Sequence, residues 1–172
     1  MFKGERLYLR AVEPEDIDLM YRVENDTQLW SCGNATVPYS RFALKNYIAE
    51  STCDIYADGR LRLTVMTNDG EAVGFIDLQN FDAMHRRAEV GVVILPEWQG
   101  MGYGTEAVEL LAGYATSRLH LHVLYAIVSV ENHNALNLFT KTKFKPSGTL
   151  TEWLYRGVSD YSDACLLIRV LP

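Results

Sequence analysis

No stretch of this sequence approaches the roughly 20 apolar residues that a bilayer-spanning helix needs. The opening residues, MFKGERLYLR, carry charges every few positions and lack the continuous apolar core of a secretory leader. Both absences lead to the expectation of a soluble, cytoplasmic protein with no membrane partner. Cysteine is scarce: Cys32, Cys53 and Cys165 are odd in number, far apart and form no C-x-x-C pair, which argues against a disulfide framework and against a thiolate zinc site. His120 and His122 would share one face of a strand, but no acidic or cysteine partner stands near them in sequence, so no metal is expected. Excess positive charge is missing too. With 16 Lys and Arg against 22 Asp and Glu the formal net charge is −6, and the phosphate attraction that drives nucleic-acid binding would be repulsive over most of the surface. A cationic small molecule or a basic peptide suits that field. Internal repeats, low-complexity tracts and linker-like runs are also absent. The 172 residues, 48% apolar and 22% charged, therefore suit one domain over 1–172 with one core.

What is present is a clear succession of periods. RLYLRAV alternates from Leu7 to Val12 and reads as a strand. In EPEDIDLMYRVEND, Pro14 suits a helical first turn, acidic residues follow it, and Ile17, Met20, Tyr21 and Glu24 recur at helical spacing. Ser40 is placed to cap a second helix, RFALKNYIAES, with Phe42, Leu44, Tyr47 and Ile48 as its apolar side. RLRLTVMT and AVGFIDLQ are strand-like, and Asn68, Asp69 and Gly70 between them supply the turn of a hairpin. AEVGVVIL, from Ala88 to Leu95, is almost wholly apolar, as a central strand covered on both faces should be. A helix from about Tyr103 to Arg118, a strand VLYAIVSV, a helix from Asn134 to about Lys141 and two late strands around YRGVSDY follow. Strand, helix, strand implies a parallel pair, whereas the hairpin demands antiparallel neighbours, so the sheet is expected to be mixed with helices on both sides.

One segment asks for a special reason. PEWQGMGYGTEA packs Gly100, Gly102 and Gly104 into five positions directly before a helix, although glycine costs backbone entropy and buries no side chain. The first-turn N–H groups of a helix have no internal acceptor, and with the positive end of the helix dipole they form an anion site suited to phosphate. Charge-assisted N–H contacts contribute roughly 1.5–3 kcal/mol each, so a few can hold a diphosphate without a lysine. A P-loop is excluded because Thr105 and Glu106 follow Gly104 where Lys and Ser or Thr are required. A dinucleotide fingerprint fails because Thr105 stands at its third glycine.

The remaining pattern, Gln99-x-x-Gly102-x-Gly104, resembles the diphosphate loop of the GNAT superfamily of N-acetyltransferases. The chain is similar to the subgroup that contains ribosomal-protein N-terminal acetyltransferases and spermidine N-acetyltransferases. RLYLRAVEPEDIDLMY, RRAEVGVVILPEWQGMGYGTEAV, VENHNALNLFTKTKF and YRGVSDYSDACLLI carry the likeness over nearly the whole chain. It implies an α/β (α+β) fold: one mixed, mostly antiparallel sheet with a central, splayed parallel strand pair and helices on both faces. It also implies acetyl-CoA as co-substrate. The backbone of Val92, Val93 and Ile94 would pair with pantetheine amides, and Gln99, Gly100, Met101, Gly102, Tyr103, Gly104 and Thr105 would hold the diphosphate. Asn132, Asn134, Ala135 and Phe139 would line the cofactor further on, with Asn132 equally able to serve as a helix cap.

Acetyl transfer to an amine needs a base, because an alkyl amine titrating near 10.4 in water costs roughly 4–5 kcal/mol to deprotonate at pH 7. Glu89 on the central strand is the candidate, its alternative being a carboxylate paired with Arg86 or Arg87. The family commonly has a tyrosine at the position of Phe139 to protonate the departing thiolate, and Tyr155, Tyr161 and Ser129 are other hydroxyls that could serve. Asp26, Trp30 and Tyr161 are the expected acceptor contacts. The resemblance implies transfer to a primary amine, foremost a polyamine such as spermidine or another small cationic amine. Two alternatives stand beside it: acetylation of a protein N-terminus, and an acetyl-CoA sensor without turnover. An edge strand and a late hairpin would permit a homo-oligomer.

Overall fold

The alternation near the start of the chain becomes an edge of the sheet. In the computed structural model, which describes residues 2–30 and 37–172 but not the side chains of Gln28 and Trp30, β1 (Phe2–Lys3) pairs antiparallel with β2 (Leu7–Ala11). Leu7 and Leu9 are buried. A 3-10 turn at Pro14–Asp16 leads into α1 (Ile17–Glu24), whose buried residues are Met20 and Val23. A single turn, α2 (Thr27–Trp30), follows. The next helix, α3 (Arg41–Glu50), starts where Ser40 Oγ accepts from the Ala43 N–H at 3.0 Å, as the cap reading requires. A further short turn, α4 (Ile55–Asp58), is capped by Asp54 and has too few residues to show a period. The hairpin is β3 (Leu61–Thr67) and β4 (Ala72–Asp82), and β5 (Arg87–Ile94) is the apolar strand. Then come α5 (Tyr103–Ser117), β6 (Val123–Ser129), α6 (His133–Lys141), β7 (Lys145–Gly157) and β8 (Asp160–Val170).

The eight strands form one sheet in the order β1-β2-β3-β4-β5-β6-β8-β7, with β5–β6 its parallel pair and the other pairings antiparallel. Alternation sorts β5 between two layers. Ala88, Val90, Val92 and Ile94 join the larger core with α5 and α6, through Ala107, Val108, Leu111 and Phe139. Val93 joins the smaller core, with Met20 and Val23 of α1, Leu44 of α3 and Phe75 of β4. Helices thus cover both faces, as expected. Among the described residues no helix is long and apolar enough to cross a membrane, and Cys32 lies outside them.

Two ion networks tie the α1 layer to the sheet. Arg62 bonds Asp77 at 2.8 and 3.0 Å and also reaches Glu24. Burial would lower the Arg62 guanidinium, but Asp77 and Glu24 outweigh it and raise it above its ordinary range. The second network centres on Asp16, only 4% exposed. Its carboxylate accepts from Arg10 at 2.6 and 2.8 Å, from the Glu13 N–H at 2.9 Å and from Thr64 Oγ1 at 2.9 Å. Burial alone would raise the Asp16 carboxyl, yet these donors hold it below the usual carboxylate range.

Because the folded value is depressed, this contribution to stability is present above the unfolded carboxylate pKa and is lost as pH falls through the folded one. Asp16→Ala is expected to cost about 3 kcal/mol at pH 7, since it strands Arg10. In urea denaturation at stepped pH, the gap between wild type and variant should hold above about pH 5 and shrink below about pH 4.

Candidate functional site

The central strand pair parts along its length. The strands β5 and β6 pair at Arg87↔Val123, Ala88↔Leu124 and Glu89↔Tyr125, and the pairing stops there although both strands continue. Beyond that point β5 follows β4 to Gly74↔Ile94, while β6 follows β8 to Ser129↔Ala164. At about 3.3 Å per residue, Val90–Ile94 form an edge about 16 Å long with no ladder toward β6. Close packing on the other side holds β5 there, since a Cβ on Gly74 would sit 2.0 Å from the Val93 carbonyl oxygen. A main-chain edge inside a sheet calls for a partner able to make backbone-like hydrogen bonds.

At the open end of this split the chain turns through Pro96–Trp98 into the glycine loop. Gln99 does not present its amide outward. Its Nε2 donates to the Ile94 carbonyl at 2.8 Å and its backbone N–H to Pro96 at 3.2 Å, so Gln99 staples the loop to the end of β5. The three glycines have different reasons. Gly100 (φ +77°) and Gly102 (φ +82°) occupy left-handed conformations that cost other residues roughly 1–2 kcal/mol. Gly104 is helical and buried, and a Cβ on it would lie 2.6 Å from Leu138 Cδ1. That glycine lets α5 close on α6. The same Cβ position is 3.7 Å from Ile94 Cγ1, which puts the start of α5 at the mouth of the split. Among the described residues the N–H groups of Gly102, Tyr103, Gly104 and Thr105 meet no backbone acceptor; they are the orphan donors of a helix entrance.

Glu89 stands at the closed end, in register with Tyr125. Both side chains alternate away from the α5 core that Ala88 and Leu124 join. A register shift between Gln79 and Asp82 accompanies a left-handed Asn80 (φ +49°), whose Nδ2 donates to Glu89 Oε2 at 2.8 Å. The arginine alternative is not what forms. Arg87 pairs with Asp82 at 3.2 Å, and Arg86 Nε donates to the His120 carbonyl at 2.6 Å. Burial, followed by the nearby Glu89 charge, raises the Tyr125 hydroxyl, with the Asn80 amide drawing it the other way. Sequence reasoning passed over Tyr125, because its proximity to Glu89 is a matter of parallel register.

Other expected residues fall in different places. Asn132 caps α6, its Oδ1 accepting from the Ala135 N–H at 3.1 Å. Asn134 is exposed and Ala135 half-buried. Phe139 is 3% exposed, and its centroid lies 5.0 Å from that of Phe144 within the core. Its place on α6 fixes this, because the helix buries that stripe against the sheet. Asp26 follows α1, with its N–H bonded to the Val23 carbonyl. The side chain of Trp30 lies outside the described residues. Tyr161 sits in the part of the β7–β8 hairpin beyond the last β6 pairing, where its ring packs edge-on against Tyr155.

In chemistry, an unladdered strand edge leading to four free N–H donors fits a molecule with amides along an arm and a diphosphate at one end, as coenzyme A has. Comparison with known proteins agrees in kind. A family model for the acetyltransferase (GNAT) domain matches residues 6–145. The spermidine N(1)-acetyltransferase of Escherichia coli K12 is 31% identical over 142 residues, covering 83% of this chain and 74% of that protein. A putative ribosomal N-acetyltransferase of Bacillus subtilis is 28% identical over 156 residues, covering 88% and 85%. The solved structure of the Vibrio cholerae spermidine N-acetyltransferase with CoA and spermine superposes with a TM-score of 0.85 at 26% identity, covering 97% and 96%.

The two left-handed glycines separate strain from contact. A Cβ on Gly100 meets nothing within 4 Å, so Gly100→Ala should lower Tm by about 2–8 °C from backbone strain alone. Gly102→Ala adds a contact 3.2 Å from Arg6 Nη2 and should lower Tm further in the same thermal melts.

Proposed function

The chain belongs to the GNAT acetyltransferase family, and from that premise we propose that it transfers acetyl from acetyl-CoA to a primary amine of a polyamine such as spermidine. The parting of β5 from β6 between Glu89 and the start of α5 carries this reading. The spermidine acetyltransferases among its relatives support the acceptor class, and so does the net charge of −6. The backbone of Val92, Val93 and Ile94 would hold the cofactor arm. The N–H groups of Gly102 to Thr105 would hold its diphosphate, with Gly100 and Met101 shaping the loop that Gln99 ties down. Asn132, Asn134 and Ala135 would border it at the start of α6. When bound, acetyl-CoA supplies an acetyl group activated as a thioester.

Glu89 takes the proton of the acceptor amine. Its Oε2 is held by the neutral Asn80 amide, and among the described residues no cation forms an ion pair with it, so the carboxylate remains a usable acceptor. Tyr125 holds the proton that the sulfur requires. A phenol is protonated at neutral pH at its ordinary value near 10, burial and the Glu89 charge do not draw that proton off, and a thiol of pKa near 8.5 asks only about 2 kcal/mol of help at pH 7. This assignment removes the need for a hydroxyl at Phe139. The helix α1 and Asp26 after it stand on the Glu89 side of the sheet, where a carboxylate attracts a second ammonium. A protein N-terminal amine is the second reading, favoured by the likeness to the Bacillus subtilis protein.

Free-thiol release with a panel of spermidine, spermine, monoamines and N-terminal peptides tests the proposal. Polyamines should give the highest kcat/KM; release with peptides alone would favour the second reading. Acetyl-CoA binding without release by any amine would establish a sensor. Glu89→Gln should lower kcat about 100-fold or more while the acetyl-CoA Kd stays within about twofold. For Tyr125→Phe the expected loss in kcat is about 10- to 30-fold, the rate equivalent of about 2 kcal/mol.

A further inference from the structure

The proposed diphosphate loop has a charge of the wrong sign beside it. Glu106 is the fourth residue of α5, one turn from the free N–H groups, where its carboxylate would repel a bound anion. Protonation does not remove that charge. Burial works against the ionised form, but the Arg6 and Leu7 N–H groups and the Arg6 guanidinium hold Glu106 below the usual carboxylate range.

A residue 100 positions earlier answers it. Arg6, between β1 and β2, donates from Nε to Glu106 Oε2 at 2.9 Å. The backbone N–H groups of Arg6 and Leu7 donate to Oε1 at 2.8 and 3.1 Å. Nη1 donates to the Met101 carbonyl at 2.8 Å, and the guanidinium lies 5.1 Å from the centre of the Tyr103 ring. One side chain therefore touches Met101, Tyr103 and Glu106, in an acidic recess of about 430 Å³ lined by Glu5, Glu106 and Glu109 with Gly102 and Thr105, where Arg6 is the cation.

The Met101 bond has a further consequence. A trans peptide is planar with its C=O and N–H opposed, so a carbonyl of Met101 fixed on Arg6 aims the Gly102 N–H the opposite way. Without that bond the Met101–Gly102 peptide, flanked by left-handed Gly100 and Gly102, would be free to turn its carbonyl toward the anion site.

We propose that Arg6 is a positioning residue for diphosphate recognition: it neutralises Glu106 and fixes the Met101–Gly102 peptide with its N–H toward the ligand. This role rests on the loop's being the diphosphate site. Arg6 acts through the loop and makes no claim on the reacting atoms, so its loss should appear in cofactor affinity and not in the chemical step.

Calorimetric titration of CoA into wild type, Arg6→Ala and Arg6→Lys tests it, alongside turnover of acetyl-pantetheine, which lacks the diphosphate. Arg6→Ala should weaken CoA binding about tenfold or more, while kcat/KM for acetyl-pantetheine stays within about twofold. Arg6→Lys keeps the charge but lacks the fork that bonds Glu106 and Met101 together, and its Kd should fall between the two. CoA binding by Arg6→Ala within about twofold of wild type would overturn the role. An equal loss with acetyl-pantetheine would also overturn it, by showing general support of the fold. Failure of wild type itself to bind CoA would overturn the underlying site, a result distinct from either.

Discussion

The parting of two parallel strands governs the rest of this molecule. The strand β5 is claimed by β4, so closely at Gly74 that no side chain fits, and β6 is claimed along its whole length by β8. Three residue pairs hold them together at one end. Past Glu89 each strand keeps its outer partner and loses its inner one. An open main-chain edge within a sheet would ordinarily be a defect, because unpaired backbone groups are costly when removed from water. Here it lies between a carboxylate at its closed end and a row of helix N–H donors at its mouth, and the two ends differ in charge preference. The cleft is therefore directional.

The glycine loop shows how one motif answers several physical demands at once. Gly100 and Gly102 permit a left-handed path, Gly104 permits contact between two helices, and Gln99 ties the loop to the strand before it. None of these residues has to touch a ligand through its side chain. Their combined effect is to present backbone N–H groups in a fixed direction, with the stiffening completed by Arg6 from the other side. Recognition by main-chain donors on a braced loop needs little rearrangement on binding.

Much of this was legible in the residues. Period two in RLYLRAV, the turn at Asn68–Gly70, the Ser40 cap and the apolar strand before the glycine run each rest on a local rule, and local rules survive folding. The GNAT resemblance pointed to the split and the loop for the same reason, since its motif is contiguous. Contacts between distant segments were not legible. Tyr125 meets Glu89 through parallel register, Asn80 does so because a register shift gives it a left-handed backbone, and Arg6 reaches Glu106 across most of the chain. The burial of Phe139 was hidden for a related reason: its position in the motif says where it stands along α6, while its contact with Phe144 in the core follows from how α6 packs on the sheet.

The central proposal is that the unladdered edge of β5 and the entrance of α5 act together as a backbone receptor for the acyl carrier. Residue-resolved amide hydrogen exchange with and without acetyl-CoA addresses that claim most directly. Saturation should slow exchange within Val90–Ile94 and at Gly102–Thr105 together, leaving the β7–β8 hairpin tip unchanged. Tight binding that leaves β5 exchange unaltered, with protection elsewhere, would contradict it.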